Sequence, residues 1–368
     1  MRNPEGHAAY LGTRTFASLD GLRALSILGV IWHHTVNHAA PWPALRRGFL
    51  GVDLFFVISG FLIVTLLLRE CRASGSISLR RFYVRRSLRI VPAYWALLVL
   101  VACAAYARPA AELSAALKHD LPYALFYVSN LVPMASLLAI TWSLSSEEQF
   151  YLVVPALSKY APRIFPRLIL PLMYVAAILP PFGWFAQVGL PAFFRQTTFG
   201  PILLGVMLAH VLDSPRGWTL AARLLGHPLA PLAALALLAA TLCYPGADIS
   251  GWPRLSIQIA MLILLASCVV RENHVLAPFL TMRSLARIGA VSYGMYLYHL
   301  LVYSPVSKML DRAGVASTYA LFAGVTLGTW ITAELSYRLF EARFLALKAR
   351  FVPARARVRT PAESSEAA

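Results

Sequence analysis

Residues 19–38, LDGLRALSILGVIWHHTVNH, put Asp20 and Arg23 at the front of an apolar run and His33, His34 and His38 at its far end. In hydrocarbon such groups are costly and mark a functional site by default. Read as a helix, Arg23, Ile27, Val30 and His34 follow at three- and four-residue steps and share roughly one face. Arg23 and His34 are then about 16 Å apart along the axis, at about 1.5 Å per residue. One residue cannot do both jobs. Histidine is the natural general base because its unperturbed pKa is near 6.5, and a neighbouring carboxylate can orient the ring. The same histidines would also sit cheaply in a membrane interface. His34 and His38 have i,i+4 spacing, but no HExxH or cysteine pair completes a metal set, so no metal is expected.

Four further stretches carry polar residues in apolar surroundings. GVDLFFVISGFLI, residues 51–63, begins near Asp53, which can balance an arginine or histidine at its depth or cap the helix. Ser59 and Gly60 are small enough for close helix packing. RRFYVRRSLRIVPAY, residues 80–94, spaces Arg81, Arg85 and Arg89 four apart with Arg80 and Arg86 flanking, and its cations suit either anionic headgroups or the phosphates of a nucleotide-bearing donor. WSLSSEEQFYL, residues 142–152, sets Glu147 and Glu148 side by side; Glu147, Phe150 and Tyr151 lie on a related face. Glu147 can pair with an arginine or orient a histidine. VSYGMYLYH, residues 291–299, places Tyr293, Tyr296 and His299 where they can line a polar cavity or an interface.

The elements that must position these residues are membrane helices. Of the 368 residues, 59% are hydrophobic and 13% charged, and mean hydropathy is +0.65; a soluble domain carries roughly 25% charged residues. Ten apolar segments are expected to span: 18–36, 51–68, 88–106, 143–157, 166–182, 197–213, 228–244, 255–271, 286–304 and 315–336. Glu147, Glu148 and Gln149 make the fourth the weakest. Basic residues crowd alternate connections, from Arg69 to Arg89, then Lys159, Arg163 and Arg167, then Arg216 and Arg223, then Arg271, Arg283 and Arg287. That asymmetry predicts both termini in the cytoplasm. The opposite loops are poorer in cations but not empty, with Arg108 and Arg195 among theirs. The net charge of +17 therefore belongs to membrane lipid rather than to nucleic acid. The four cysteines show no CxxC spacing. The expected organisation is a short cytoplasmic segment at 1–16, a transmembrane domain at 17–345, and a disordered cytoplasmic tail at 346–368. No removable signal peptide is expected, since Asp20 and Arg23 interrupt the first apolar segment.

In order, LDGLRAL…HH (19–34), GVDLFFVISGFLI (51–63), RRFYVRRSLRIVPAYW (80–95), TWSLSSEEQFYL (141–152), SYGMYLYH (292–299) and SYRLFEARF (336–344) resemble the membrane-bound acyltransferase 3 family over nearly the whole chain. These are bacterial O-acyltransferases acting on sugars, polysaccharides or macrolides. The resemblance implies an all-α integral protein of the bacterial inner membrane. It implies acyl-CoA, with acetyl-CoA the default, as donor and a hydroxyl of a carbohydrate or glycosylated natural product as acceptor. It maps the family's arginine and essential histidine onto Arg23 and His34, its acidic residue onto Glu147, and its arginine motif onto the Arg81–Arg89 stretch. His34 is then the base, with Asp20 or Glu147 orienting or balancing the network and Arg81, Arg85, Arg86 and Arg89 holding donor phosphates. Asp53, Tyr151, Tyr293 and His299 are candidates for the acceptor cavity. The closing SYxxxExP pattern keeps Ser336, Tyr337 and Glu341 but has Arg343 at the proline position. The extra esterase-like domain of some relatives is not expected here. With the resemblance set aside, a transporter or flippase accounts equally well for buried Arg, Glu and His.

Overall fold

The computed structural model describes residues 4–13, 15–36, 42–107, 112–179, 199–246 and 249–348. Among these, every regular element is helical. His38, Arg108, Arg195 and residues 349–368 of the expected tail lie outside the described residues. The elements that matter for the site are α1 (Pro4–Gly12), α2 (Ala17–Thr35), α3 (Gly51–Ser74), α4 (Leu79–Ala107), α5 (Glu112–Leu125), α6 (Thr141–Tyr160), α7 (Leu170–Ile178) and α8 (Phe199–Asp213). They are followed by α9 (Pro215–Leu225), α10 (Ala230–Leu242), α11 (Trp252–Val270), α12 (Arg283–Ala290), α13 (Ser292–Arg312), α14 (Thr318–Ser336) and α15 (Ala342–Lys348).

By length and apolarity, three helical stretches among the described residues can cross a membrane: Pro43–Ser74, Leu79–Ala107 and Trp252–Val270. Two bent pairs raise the number to five if each is one span: residues 6–12 with α2, bent by 64°, and α9 with α10, bent by 79°. Where they are described, the ten expected segments fall largely on helix, but only these three to five stretches are long and apolar enough to cross. The segment at 286–304 is divided, because α12 and α13 meet at a break at Val291. Just before the break, Gly289 lies so close to the backbone carbonyl of Asp20 that any side chain there would overlap it.

A second close crossing joins α3 to α8. Gly60 rests on the Ile202 carbonyl and Gly205 on the Val57 carbonyl, with no room for a β-carbon at either. This is the small-residue contact that lets membrane helices gain dispersion energy without a hydrophobic driving force. Asp53, at the start of α3, is fully buried and clamped by Arg254 through two hydrogen bonds of 2.7 and 3.0 Å, with Gln258 donating a third at 3.1 Å. α3 is thereby fixed to α8 and α11. At the other end of the chain, helix continues past Glu341 through one π-helical turn (Tyr337–Glu341) into α15. Ala342 and Arg343 permit this, whereas a proline would disfavour it.

The N-terminus of α2 is anchored from far along the chain. Ser18 and His274, both buried, share a hydrogen bond of 3.0 Å between Oγ and Nε2. His274 follows α11 in a connecting loop, and burial holds its imidazole below the usual histidine range. The unfolded chain therefore takes up this proton more readily than the folded one, so the folded state gains stability as pH rises. The contribution is complete above about pH 6.5, the ordinary histidine value, and is lost as pH falls towards the lower folded value. Thermal unfolding in detergent should show a midpoint that drops from pH 7.5 to 5.5. His274→Gln should flatten that dependence; an unchanged slope in the variant would remove His274 from the account.

Candidate active site

All five polar stretches contribute to one cavity. It is lined by Arg23 from α2, Phe55, Phe56 and Ser59 from α3, Arg86, Arg89 and Ile90 from α4, Ser143 and Glu147 from α6, and Ser292, Tyr293 and Tyr296 from α13. Three guanidinium groups and one carboxylate thus share the wall with aromatic rings, hydroxyls and the aliphatic side chains of Val52, Ile90 and Leu144. The lining favours an anionic guest with an apolar portion.

Arg23, Arg86 and Glu147 are each positioned by a neighbour. Arg23 pairs with Asp20 one turn back, at 2.7 Å. Arg86 lies 3.4 Å from Glu147 and its guanidinium stacks 3.9 Å above the ring of Tyr151. The Tyr151 hydroxyl donates to Glu147 and accepts from Arg86. Arg89 lines the same wall, and no hydrogen bond or ion pair joins it to another described residue. Tyr293 donates to the Ile90 carbonyl at 3.0 Å, holding α13 against α4. Tyr296 hydrogen-bonds the Ile140 carbonyl at 2.9 Å and Ser143 at 2.7 Å, fixing α13 against the start of α6.

The cationic face on α4 divides differently from its four-residue spacing. Arg85 turns to Glu70 at the end of α3, at 2.9 Å, and Arg81 is exposed near the start of the helix. Arg86 joins Arg89 at the cavity instead; they are three apart, which also shares a face. Residues 81 to 89 span about 12 Å of helix at about 1.5 Å per residue, so the arginines run from the exposed end of α4 inward to the cavity.

His34 is not in the cavity lining. Its Nδ1 lies 2.9 Å from the Val30 carbonyl, and its ring meets that of His299 edge-on at 4.9 Å between centroids. His299 in turn contacts Tyr296 at 5.6 Å, and Tyr296 is part of the cavity wall. Neither expected carboxylate orients His34: Asp20 pairs with Arg23 and Glu147 with Arg86 and Tyr151. The Val30 carbonyl does so in their place. Asp53 is consumed by Arg254 and Gln258 and does not line the cavity. Tyr151 stands behind Arg86, Tyr293 lines the cavity, and His299 lies between the cavity wall and His34.

Sequence reasoning passed over Ser143 and Ser292, whose types carry no signal of their own, and Arg254, whose partner lies 201 residues away. It also gave Glu148 no role. Its Oε1 is buried without a hydrogen-bond partner among the described residues, within electrostatic reach of Arg86.

Against known proteins, residues 16–334 match the acyltransferase domain of acyltransferase 3 type. The chain belongs to the acyltransferase 3 family. Relatives include a Staphylococcus aureus (strain COL) protein named "putative O-acetyltransferase", 32% identical over 376 residues, covering 94% of this chain and 59% of the relative. The "O-acetyltransferase OatA" of S. aureus (strain NCTC 8325 / PS 47) is 31% identical over 363 residues, covering 89% of this chain and 57% of the relative. The chain thus spans somewhat under three-fifths of the length of these relatives. No solved structure matches it. Family membership implies an acyl donor, and the apolar helices agree with a membrane acyltransferase.

The Arg86–Glu147–Tyr151 cluster generates a direct test. Arg86→Met leaves a half-buried carboxylate without its cation, Glu147→Gln leaves the cation without its carboxylate, and each should lower thermal stability. The double variant should recover part of the loss, with a coupling of about 1–3 kcal/mol as for groups in one network. Strict additivity in denaturation measurements would show that the two do not act together.

Proposed function

We propose that this protein is an O-acyltransferase of the bacterial inner membrane. It moves an acyl group, acetyl by default, from acyl-CoA to a hydroxyl of a carbohydrate or glycosylated natural product. The reading takes residues 17–345 as one transmembrane domain of about ten spans with both termini cytoplasmic, preceded by a segment at 1–16 and followed by a tail at 346–368. The observation that carries it is the ordering of groups from the arginine-lined cavity, through Tyr296 and His299, to His34.

In this proposal the arginine series on α4 takes the donor's phosphates. Arg81 meets them at the exposed end, and Arg86, Arg89 and Arg23 draw the donor into the cavity. The pantetheine arm carries the thioester onward towards His34. Because the Nδ1 of His34 faces a carbonyl, which only accepts, Nδ1 carries the proton of the neutral ring and Nε2 presents the lone pair. Nε2 takes the proton of the acceptor hydroxyl as its oxygen bonds to the thioester carbon. The C–S bond then breaks and the thiolate leaves, recovering the proton from His34. Arg23 is too far along α2 to stabilise charge at this carbon, so its role is donor binding.

The decisive assay uses purified protein in detergent with labelled acetyl-CoA and hydroxylated acceptors. Esterified product without any closed membrane supports the enzyme; vesicle uptake without covalent product supports a transporter. His34→Ala should lower kcat by at least about a hundredfold, the scale of a lost general base. Arg89→Ala should chiefly raise KM for acyl-CoA by about tenfold or more, as for a lost charge-assisted contact. Normal turnover by folded His34→Ala protein would overturn the assignment.

A further inference from the structure

His299 holds a polar atom that the proposed reaction leaves unused. Its side chain is 1% exposed, and Nδ1 lies 2.7 Å from the Tyr296 carbonyl. A carbonyl only accepts, so Nδ1 must donate, and Nε2 of the neutral ring is a bare lone pair. That Nε2 is buried and has no hydrogen-bond partner among the described residues. A buried acceptor left unmet costs free energy and asks for a donor from outside the chain.

The neighbouring ring is built the same way. His34 also directs Nδ1 to a carbonyl one turn back, leaving its own Nε2 as an acceptor. The two rings meet edge-on, 4.9 Å between centroids and inclined at 61°. Two helices, α2 and α13, thus bring together two imidazoles in the same tautomer. Neither can satisfy the other, since both Nε2 atoms accept and neither donates. A ligand that fits such a pair supplies two O–H donors close together.

We propose that His299 is a positioning residue for the acceptor, taking a hydrogen bond at Nε2 from a hydroxyl adjacent to the one His34 deprotonates, so that the site selects a polyhydroxylated acceptor over a simple alcohol. This rests on the acyltransferase reading and narrows its acceptor class. The second hydroxyl keeps its proton throughout; its bond to His299 fixes which oxygen faces the Nε2 of His34. Regioselectivity follows, because exchanging the two hydroxyls presents a different carbon skeleton to the donor.

The test compares methyl glucopyranoside with its set of monodeoxy counterparts, measuring kcat/KM for acyl transfer and, in His34→Ala protein, dissociation constants by calorimetry. For one deoxy position the intact sugar should be favoured about tenfold, the size of one neutral hydrogen bond, in both measurements. His299→Phe keeps a ring but no acceptor, and should bring that ratio close to one. His299→Gln places an amide oxygen near the former Nε2 and should restore much of it. A fall in overall rate with the ratio unchanged would make His299 merely structural and overturn the proposal, as would a wild type indifferent to every deoxy position. Because the binding arm needs no turnover, the two readings separate. Discrimination in binding with no ester formed sinks the enzyme assignment alone, ester formation without discrimination sinks this inference alone, and neither binding nor transfer sinks both.

Discussion

The placement of α2 is the constraint on which the site depends. This helix carries Arg23 at one end and His34 at the other, and a rod can present both groups only if its roll and its height are fixed. Its roll is fixed by contact without side chains, where Gly289 of α12 lies on the backbone carbonyl of Asp20. Its N-terminal end is tied by the buried Ser18–His274 bond, and its C-terminal end by Trp32, whose indole donates to the Leu45 carbonyl at 2.8 Å. A helix turn rotates by about 100° per residue, so a slip of one position would carry Arg23 and His34 off their shared face. Close packing resists that slip more firmly than hydrogen bonds between side chains would, because a packed backbone has no rotamers to yield.

Polar residues within the apolar helices then divide into those the chain satisfies by itself and those it does not. Asp53 is closed by Arg254 and Gln258. Glu334 is closed by Arg287 at 2.7 Å and Arg338 at 2.5 Å, joining α12 to α14. Glu147 is closed by Arg86 and Tyr151. Such pairs offset the cost of removing charge from water and fix helix against helix; breaking one leaves a charge that nothing nearby can neutralise. Arg89 and the imidazoles of His34 and His299 belong to the other group. Their free donor and acceptor capacity is what a ligand can use, and it lies on the cavity wall and in the step beyond it.

This division also explains what was legible in the sequence. Asp20, Arg23, His34, Glu147 and Tyr293 stand out because their types are rare in apolar runs, and family motifs set them in order. The face chosen by α4 was not legible, because Arg85 and Arg86 are adjacent and each shares a helical face with a different partner. Which one turned inward was decided by Glu70, at the end of α3, capturing Arg85. Periodicity fixes the set of residues on a face but not which face meets the core. The orientation of His34 escaped for a similar reason. Carboxylates are conspicuous in sequence and backbone carbonyls are not, yet it is the carbonyl of Val30 that holds the ring. The close approach of Gly289 to Asp20 joins helices more than 250 positions apart, which no local pattern encodes.

The separation between the charged cavity and His34 has a chemical logic of its own. A donor with phosphates at one end and a thioester at the other needs strong anion binding far from the reacting carbon. Guanidinium groups beside the base would disfavour the imidazolium that forms during proton transfer, since like charges in a low dielectric repel strongly. If His34 is the proposed base, keeping Arg23, Arg86 and Arg89 around the cavity, with Tyr296 and His299 between it and His34, spares it that repulsion. The neutral ring of His299 adds none. On the proposed reading, donor affinity and proton transfer are assigned to different ends of α2 because placing them together would weaken both.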